Sequence, residues 1–260
     1  MNDTFYNLDV PVRLALLADF HNTNPDPVLE SLKTQRPDVI TIAGDFVFGN
    51  RPKKGNLKID ENRNAVDLLT GCSRIAPTFV SLGNHEYTLA DPDLKVICST
   101  GITLLDNKWT QFRNVYIGGL SSAYYTAYRT FRLKKAGKEL YPIPDPSIRI
   151  KNLKPDLPWL DKFEKLKGFK ILLCHHPEYY PRYLVNRKID LILSGHCHGG
   201  QWRYYSIIHK QMRGCYAPGQ GLFPALTDGV HDKRLVISRG LSNTTFVPRI
   251  NNPTEVVYID

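Results

Sequence analysis

Five short polar clusters, each following an apolar run, constrain the fold of this 260-residue chain more than any other feature. They are Asp19-Phe20-His21, Gly44-Asp45, Gly83-Asn84-His85-Glu86, His175-His176-Pro177 and Gly195-His196-Cys197-His198-Gly199. A short apolar run that stops at a polar cluster is typical of a buried strand. Because ligand-binding groups collect at the carboxyl ends of strands in α/β sheets, we expect the five clusters to form one site.

Helical patterns lie between most of the apolar runs, so strands and helices alternate along the chain. The spacing predicts strands at 12–18, 39–43, 78–82, 115–117, 169–173 and 191–194, with helices at 26–35, 61–72, 91–99 and 157–166. After residue 201, Gly and Pro separate short β-rich runs at 234–238 and 255–259. Since no repeat or linker divides the chain, we predict one α/β domain over residues 1–260.

The composition bounds the partners and the compartment. A formal net charge of +9 favours anionic partners: phosphorylated small molecules, nucleic acid or an acidic membrane. A basic surface without any such partner explains the charge equally well. The five cysteines are scattered, and the apolar runs are too short to span a membrane. Because no apolar leader follows Met1, we expect a cytoplasmic protein with free thiols.

The first two clusters place carboxylates at strand ends. Asp19 and His21 are two residues apart, so in an extended segment both side chains point to the same side and can reach one cation. Asp45 directly follows Gly44, and a single carboxylate can bridge two cations. An Asp turn or cap explains each cluster at least as well when it is taken alone. Only the combination with the other clusters favours a metal site.

The tetrapeptide at residues 83–86 is more specific. The Asn84 side chain offers a neutral oxygen ligand, and Gly83 lets the backbone turn tightly. His85 would lie beside the cations without binding them, where it can protonate a leaving oxygen or stabilise charge on a phosphate. A simple Asn-His turn is the alternative interpretation of this tetrapeptide.

Four histidines complete the pattern. His175 and His176 are adjacent and point to opposite sides if extended, so we predict that His175, nearer the strand end, is a ligand. His176 is predicted to have a structural role. His196 and His198 lie two residues apart between glycines, and their imidazoles can serve two cations separately. Cys197 faces away from them by alternation and is predicted to pack rather than to bind metal.

This ordered series resembles the calcineurin-like metallophosphoesterases, whose pattern is Asp-x-His, Gly-Asp, Gly-Asn-His-Asp/Glu, His and Gly-His-x-His. The resemblance spans residues 12–198. Residues 199–201 and 239–255 are also similar to a bacterial branch that includes phosphohydrolases of the YkuE and YaeI type. The chain departs from that branch in two places, because Cys197 replaces a Thr or other small residue and residues 121–157 form an insertion without a counterpart.

The resemblance implies a four-layer α/β sandwich, in which two mixed β-sheets are flanked by helices. It also implies two divalent metal ions, and Mn²⁺, Fe or Zn²⁺ suit oxygen and imidazole ligands. Asp19, His21 and His198 would hold the first ion, Asn84, His175 and His196 the second, and Asp45 would bridge both. His85, next to the phosphate, and the bridging Asp45 are the catalytic candidates.

The expected activity is hydrolysis of a phosphodiester or pyrophosphate bond in a small or lipid-linked substrate, by attack of a hydroxide that bridges the two ions. A phosphomonoesterase is the first alternative and a nuclease the second. The complete ligand set disfavours a metal-free interaction scaffold. A nucleic-acid-binding protein is disfavoured because the chain has no recognised basic-aromatic binding motif.

The insertion at 121–157 carries aromatic residues at near-helical spacing, interleaved with Arg and Lys. The aromatic residues are Tyr124, Tyr125, Tyr128 and Phe131. Three interpretations stay open: an amphipathic helix packed on the core, a lid that offers rings to the substrate, and an interfacial helix. The last interpretation would bring the protein into peripheral contact with anionic lipid.

Overall fold

Two β-sheets lie face to face, and helical segments cover the outer side of each sheet. The computed structural model describes residues 1–49, 58–126, 153–218, 220–222, 224–243 and 247–260. One apolar layer separates the two sheets, and a further layer lies between each sheet and its helices. The expected four-layer α/β sandwich is therefore confirmed.

The first sheet carries three of the polar clusters. Its strands are β1 (Asn2–Tyr6), β2 (Leu14–Leu17), β3 (Val39–Ala43), β4 (Thr78–Ser81), β5 (Thr103–Leu104) and β16 (Glu255–Ile259). Their order is β1-β16-β2-β3-β4-β5. Strands β2 to β5 are parallel, whereas β16 runs antiparallel to β2. The clusters that follow β2, β3 and β4 therefore leave the sheet at one edge.

The second sheet carries the other two clusters. Its strands are β6 (Lys108–Phe112), β7 (Val115–Leu120), β8 (Phe169–Cys174), β9 (Leu191–Ser194), β14 (Gly229–His231) and β15 (Leu235–Ile237), in the order β14-β15-β9-β8-β7-β6. The four central strands are parallel, and β6 and β14 are antiparallel edges. Two small ribbons lie between β9 and β14: β10 (Arg203–Ser206) with β11 (Gln211–Gly214), and β12 (Tyr216–Ala217) with β13 (Gly221–Leu222).

Alternate residues of the central strands face the two sides of each sheet. Leu14 and Leu16 of β2 pack between the sheets, whereas Ala15 and Leu17 face the helices. Strand β8 alternates in the same way. Because both faces of these strands are buried, they read in the sequence as continuous apolar runs.

Three helices cover the first sheet: α1 (Asp26–Gln35), α2 (Arg63–Ile75) and α3 (Asp91–Ser99). A 3₁₀ turn at Lys58–Glu61 precedes α2, so this helix starts later than the predicted residue 61 and continues to residue 75. The helix predicted at 157–166 is wrong except for one turn, Leu160–Phe163, because flanking residues form i to i−3 hydrogen bonds. A π-helical turn, Tyr180–Leu184, also packs on the second sheet.

The predicted insertion lies mostly outside the described residues, which omit 127–152. At its start, Tyr125 is buried in the layer between the first sheet and its helices. The lid and interfacial-helix interpretations of residues 121–157 stay predictions. Within the described part of the chain, the longest apolar helices fall short of what is needed to cross a membrane.

Candidate metal centre

Loops from both sheets meet at one edge of the sandwich and bring the polar clusters together. Asp19, Asp45 and Asn84 follow β2, β3 and β4 of the first sheet, whereas His175 and His196 follow β8 and β9 of the second. Residues of the two sheets lie within metal-binding distance of one another in two main groups. The seven predicted ligands and His85 all lie in or beside these groups.

The first group consists of Asp19, His21 and His198, whose ligand atoms lie within 4.8 Å of one another. The Nε2 atoms of His198 and His21 are 3.6 and 3.9 Å from Asp19 Oδ1. The buried ring nitrogens of His21 have no hydrogen-bond partner among the described residues. The Asp19 carboxylate also accepts the backbone N–H of His196, at 3.0 Å to Oδ2, which ties the first cluster to the last.

The second group consists of Asp45, His175 and His196, again with ligand atoms within 4.8 Å of one another. His175 Nε2 lies 3.0 Å from Asp45 Oδ2, and His21 Nε2 of the first group lies 3.9 Å from the same oxygen. Asp45 therefore stands between the two groups. The Oδ1 atom of Asn84 is buried and has no hydrogen-bond partner in the described ranges.

Backbone carbonyls orient two of the histidines. Nδ1 of His175 lies 2.7 Å from the Ala43 carbonyl, and Nδ1 of His198 lies 3.2 Å from the Ser242 carbonyl. When Nδ1 of His175 donates its proton there, Nε2 is the atom that faces the centre, as in metal-binding histidines. Arg249 Nη2 also lies 3.2 Å from His198 Nδ1, and it can donate to that nitrogen only when the nitrogen carries no proton. Burial lowers the pKa of His198, and it lowers the pKa of His21 well below its usual value, so both rings are neutral at pH 7.

The contact between Asp45 and His175 shifts the pKa of both groups. Burial opposes the negative charge of Asp45, but His175, His85 and His21 together hold the pKa of this carboxyl well below its usual range. Burial likewise opposes a charge on His175, but Asp45 outweighs it and raises the pKa of His175 to about 10. The pocket around His175 Nε2 therefore attracts positive charge, which a metal ion can supply.

His85 lies on the open side of the centre. Its Nδ1 accepts the backbone N–H of Gly49 at 3.0 Å, so the neutral ring carries its proton on Nε2, which lies 3.9 Å from Asp45 Oδ2. The His85 side chain is 28% exposed, whereas that of His21 is 1% exposed. The ring is thus positioned to donate a proton or a hydrogen bond to a molecule in front of the two groups.

His176 and Cys197 lie beside the two groups. Nε2 of His176 is 2.8 Å from Ser122 Oγ, and its Nδ1 is 3.1 Å from Glu178 Oε1. His176 and Glu178 form a further cluster with His196. Cys197 is buried, and its Sγ lies 3.6 Å from Gln220 Nε2. Within the described ranges, Cys197 belongs to none of these potential metal-binding groups.

Glu86 has a role that sequence reasoning missed. Its fully buried carboxylate accepts backbone N–H groups of Gly83 at 2.6 Å, Asp45 at 2.8 Å and Val47 at 3.1 Å. Burial and the nearby Asp45 raise the pKa of Glu86 to about 8. These bonds join the loop after β3 to the loop after β4. The acidic fourth residue of the tetrapeptide was the available signal.

The C-terminal segment, residues 247–255, was also missed and braces the loop that carries His198. Asn252 Nδ2 donates to the carbonyls of His198 at 2.7 Å and Gln201 at 3.1 Å. Arg249 Nη2 donates to the Arg239 carbonyl at 2.7 Å and also bonds the Ser242 carbonyl. The similarity of this segment to a bacterial branch pointed to it, but that similarity did not indicate a role.

Five residues of the centre have left-handed backbone conformations. They are Asp19, His21, Asp45, His196 and His198, with φ between 45° and 70°. Such a conformation costs on the order of 1–2 kcal/mol for a residue with a Cβ, and it concentrates at functional sites. Gly83 permits a close approach as well, since an added Cβ would lie 2.2 Å from Asp45 Oδ1.

A cavity of about 640 Å³ opens beside the second group. Asn84, His85 and His196 face it from the metal centre, and Tyr124, Tyr179 and Tyr216 line other parts of its wall. The cavity therefore offers polar side chains of the metal centre together with aromatic surface. That combination suits a molecule with an anionic group and a larger attached substituent.

Comparison with known proteins agrees with this geometry. Residues 12–200 match the sequence profile of the calcineurin-like phosphoesterase family. An uncharacterized metallophosphoesterase of Campylobacter jejuni is 26% identical over 262 residues, which cover 98% of this chain and 60% of the relative. The phosphodiesterase YaeI of Escherichia coli is 26% identical over 208 residues, which cover 74% of this chain and 63% of YaeI.

Among solved structures, the NAD nucleotidase of Haemophilus influenzae aligns with a TM-score of 0.45 and 13% identity, covering 96% of this chain and 44% of that one. The chain spans less than two thirds of the length of each of these three proteins. Their sequences therefore extend beyond the part that aligns with this chain.

Proposed function

The chain belongs to the calcineurin-like phosphoesterase family, and we propose that it hydrolyses a phosphate ester or anhydride at a centre of two divalent cations. One observation carries the proposal: two groups of buried carboxylate and imidazole ligands lie side by side with Asp45 between them. Asn84 Oδ1 and both ring nitrogens of His21 are buried there without hydrogen-bond partners among the described residues. Unsatisfied buried ligand atoms of this kind suit a bound cation.

In this proposal, each group holds one cation. Asp19, His21 and His198 would hold the first, Asn84, His175 and His196 would hold the second, and Asp45 would contribute to both. The donors are oxygen and imidazole without a thiolate, which suits Mn²⁺, Fe or Zn²⁺. When bound, a pair of such cations neutralises charge on the phosphoryl oxygens and activates water near neutral pH.

His85 is the proposed proton donor. Its Nε2 carries the proton because Gly49 occupies Nδ1, and the ring lies between the cavity, which it lines, and the buried ligands Asp45 and His21. From that position it donates to the leaving oxygen or to a phosphoryl oxygen. The backbone N–H of His85 donates to Asp45 Oδ1 at 2.8 Å, which fixes the donor relative to the shared carboxylate.

We favour a phosphodiester or pyrophosphate bond over a monoester. The cavity of about 640 Å³ has room for a second substituent on phosphorus, and the similar YaeI protein is named a phosphodiesterase. A small or lipid-linked substrate fits a cavity of this size and its aromatic wall. A phosphomonoesterase is the second candidate, because the same cations and His85 would serve a monoester equally well.

Hydrolysis of two chromogenic substrates tests the proposal. Metal-stripped protein would be assayed on bis(p-nitrophenyl) phosphate and p-nitrophenyl phosphate, with and without Mn²⁺, beside Asp45→Asn and the exposed control Asp67→Asn. Mn²⁺-dependent cleavage of the diester by the wild type and Asp67→Asn, but not by Asp45→Asn, is expected. Cleavage of the monoester alone would change the proposed activity from a phosphodiesterase to a phosphomonoesterase. Failure of the protein to bind metal would overturn the proposal.

A further inference from the structure

A hairpin next to the metal-binding loops presents two isoleucines to solvent. Strands β10 and β11 pair antiparallel, with Ser206 opposite Gln211. Ile207 and Ile208 lie in the turn that joins the strands and are 84% and 89% exposed. Two adjacent aliphatic side chains held in water at a protruding tip are unfavourable, and such exposure is typical of a surface that docks elsewhere.

Aromatic and apolar side chains continue from the tip toward the base of the hairpin. Tyr205 and Met212 are cross-strand partners and are 60% and 37% exposed. Trp202 precedes β10 and is 47% exposed, and Leu222 on the neighbouring ribbon is 72% exposed. An aliphatic tip with Trp and Tyr behind it matches the distribution of side chains at a membrane–water interface.

The charge of this region is positive. Residues 199–227 contain no Asp or Glu, whereas Arg203, Lys210 and Arg213 lie in the hairpin and the whole chain carries a net charge of +9. Arg203 pairs with Asp228, whereas Lys210 beside the tip is exposed and Arg213 on β11 is half-buried, so Lys210 places positive charge next to the tip. Basic residues close to an apolar tip complement a surface that is anionic outside and apolar beneath.

We propose that this hairpin, residues 203–214, docks the protein on anionic lipid bilayers by inserting Ile207 and Ile208 into the interfacial region. A second copy of the chain is a poorer occupant, because two chains with a net charge of +9 repel each other. The proposal is independent of the phosphohydrolase activity, since it depends on exposed residues outside the metal centre.

The hairpin lies next to the metal centre, so docking through it would also position the centre relative to the membrane. An apolar cavity of about 330 Å³ lies at its base, lined by Trp202, Cys215, Tyr216 and Leu222 among others. Tyr216 also lines the cavity beside the metal centre. A protein docked through the hairpin would therefore hold the cavity beside the metal centre close to the lipid headgroups.

Vesicle sedimentation tests the proposal without any assay of hydrolysis. The full chain would be mixed with vesicles of equal parts phosphatidylcholine and phosphatidylglycerol, or of phosphatidylcholine alone. Binding to the anionic vesicles is expected, and the double variant Ile207→Ser, Ile208→Ser should bind roughly tenfold or more weakly because the buried apolar area is lost. The control Val185→Ser removes an aliphatic side chain that is 38% exposed outside the hairpin and should bind like the wild type.

Two further arms separate the sources of binding. Lys210→Gln with Arg213→Gln should weaken binding to anionic vesicles, and added salt should shrink the difference. Brominated lipid should quench part of the tryptophan fluorescence of the unmodified chain, and Trp202→Phe should remove that quenching. This fluorescence measurement does not depend on the folding of the isoleucine variant.

Several results would overturn the proposal. Equal vesicle binding by the wild type and a folded isoleucine double variant would assign the contact to another surface. Absence of quenching in the wild type would show that the hairpin stays in water. If the wild type ignored vesicles but formed a dimer that the double variant lost, the occupant would be a second copy of the chain.

Discussion

The two halves of the centre are held in place by different parts of the chain. Around Asp45 and His175, the supporting contacts come from the polar clusters and their own strands: the Ala43 carbonyl orients His175, and Glu86 binds the N–H groups of Gly83 and Asp45. These residues come from short segments directly at the strand ends. The second group is therefore organised by the same motifs that supply its ligands.

The first group depends on distant residues. The loop of His198 is fixed by Asn252, which lies 54 positions along the chain, and the His198 ring bonds the carbonyl of Ser242, 44 positions along. Asn252 precedes β16, which inserts between β1 and β2 of the first sheet. The contrast indicates that this half is completed only when the last strand has docked, so the two halves should respond differently to substitutions.

Asp45→Asn should have the largest effect, because Asp45 belongs to both halves. Loss of the shared charge should remove both cations and lower turnover by roughly 1,000-fold or more. Metal content by atomic emission and the rate on bis(p-nitrophenyl) phosphate would check this. The exposed helix residue Asp67, changed to Asn, is the matched control. Near-normal turnover in a folded Asp45→Asn protein would show that Asp45 does not join the halves.

His85→Ala should lower the rate of hydrolysis without removing the metal ions, because His85 lies beside the second group but is not one of its proposed ligands. We expect both cations to stay bound while the rate falls by about 100-fold to 10,000-fold, as for the loss of a general acid. The loss should be greater for substrates with poor leaving groups, which need the proton most. His209→Ala, at an exposed histidine, provides the comparison. Loss of metal from His85→Ala would instead make His85 a ligand.

Asn252→Ala should affect mainly the first group. The carbonyls of His198 and Gln201 would each lose one donor but keep a backbone N–H, which should lower unfolding stability by about 1 kcal/mol. The affinity for one of the two cations should fall by roughly 10-fold to 100-fold, as for other residues that support metal ligands. Calorimetric metal titration would resolve the two sites. The neighbouring exposed Asn251, changed to Ala, should leave both affinities intact; an equal loss at both sites would refute the asymmetry.

Cys197→Ala should have the smallest effect. The thiol packs against Gln220 and lies outside both groups, so two cations should still bind with unchanged affinity. The small loss of buried volume should lower stability by about 1 kcal/mol. Thermal unfolding and metal titration would measure the two quantities. A clear fall in metal affinity would mean that the thiol helps to set the ligand geometry between His196 and His198.

The fold was predictable where both faces of an element are buried or where Pro marks its start. The predicted bounds of β3, β9, β16, α1 and α3 coincide with the observed ones. Strands β1 and β6 were not predicted, because they lie at the sheet edges and mix exposed with half-buried residues. Such edge strands carry no continuous apolar run, and their pairing with a neighbour decides that they form.

The metal centre, like the fold, has features that the sequence predicts and features that it does not. The amino-acid sequence by itself determined the identity and order of the candidate ligands, since short motifs at strand ends are local features. It also indicated which of these residues would meet within each sheet, because parallel neighbouring strands end at the same edge of a sheet. The structure places all eight nominated residues in or around two adjacent groups.

Only the tertiary structure decided how those residues are held. The bonds of Glu86 and Asn252, the left-handed backbone at Asp19 and Asp45, and the exposure of the hairpin tip all depend on contacts between segments far apart in the chain. A local pattern reports which face of an element is apolar. It does not report which distant carbonyl or amide will lie opposite a given side chain, because that is settled by the packing of the two sheets.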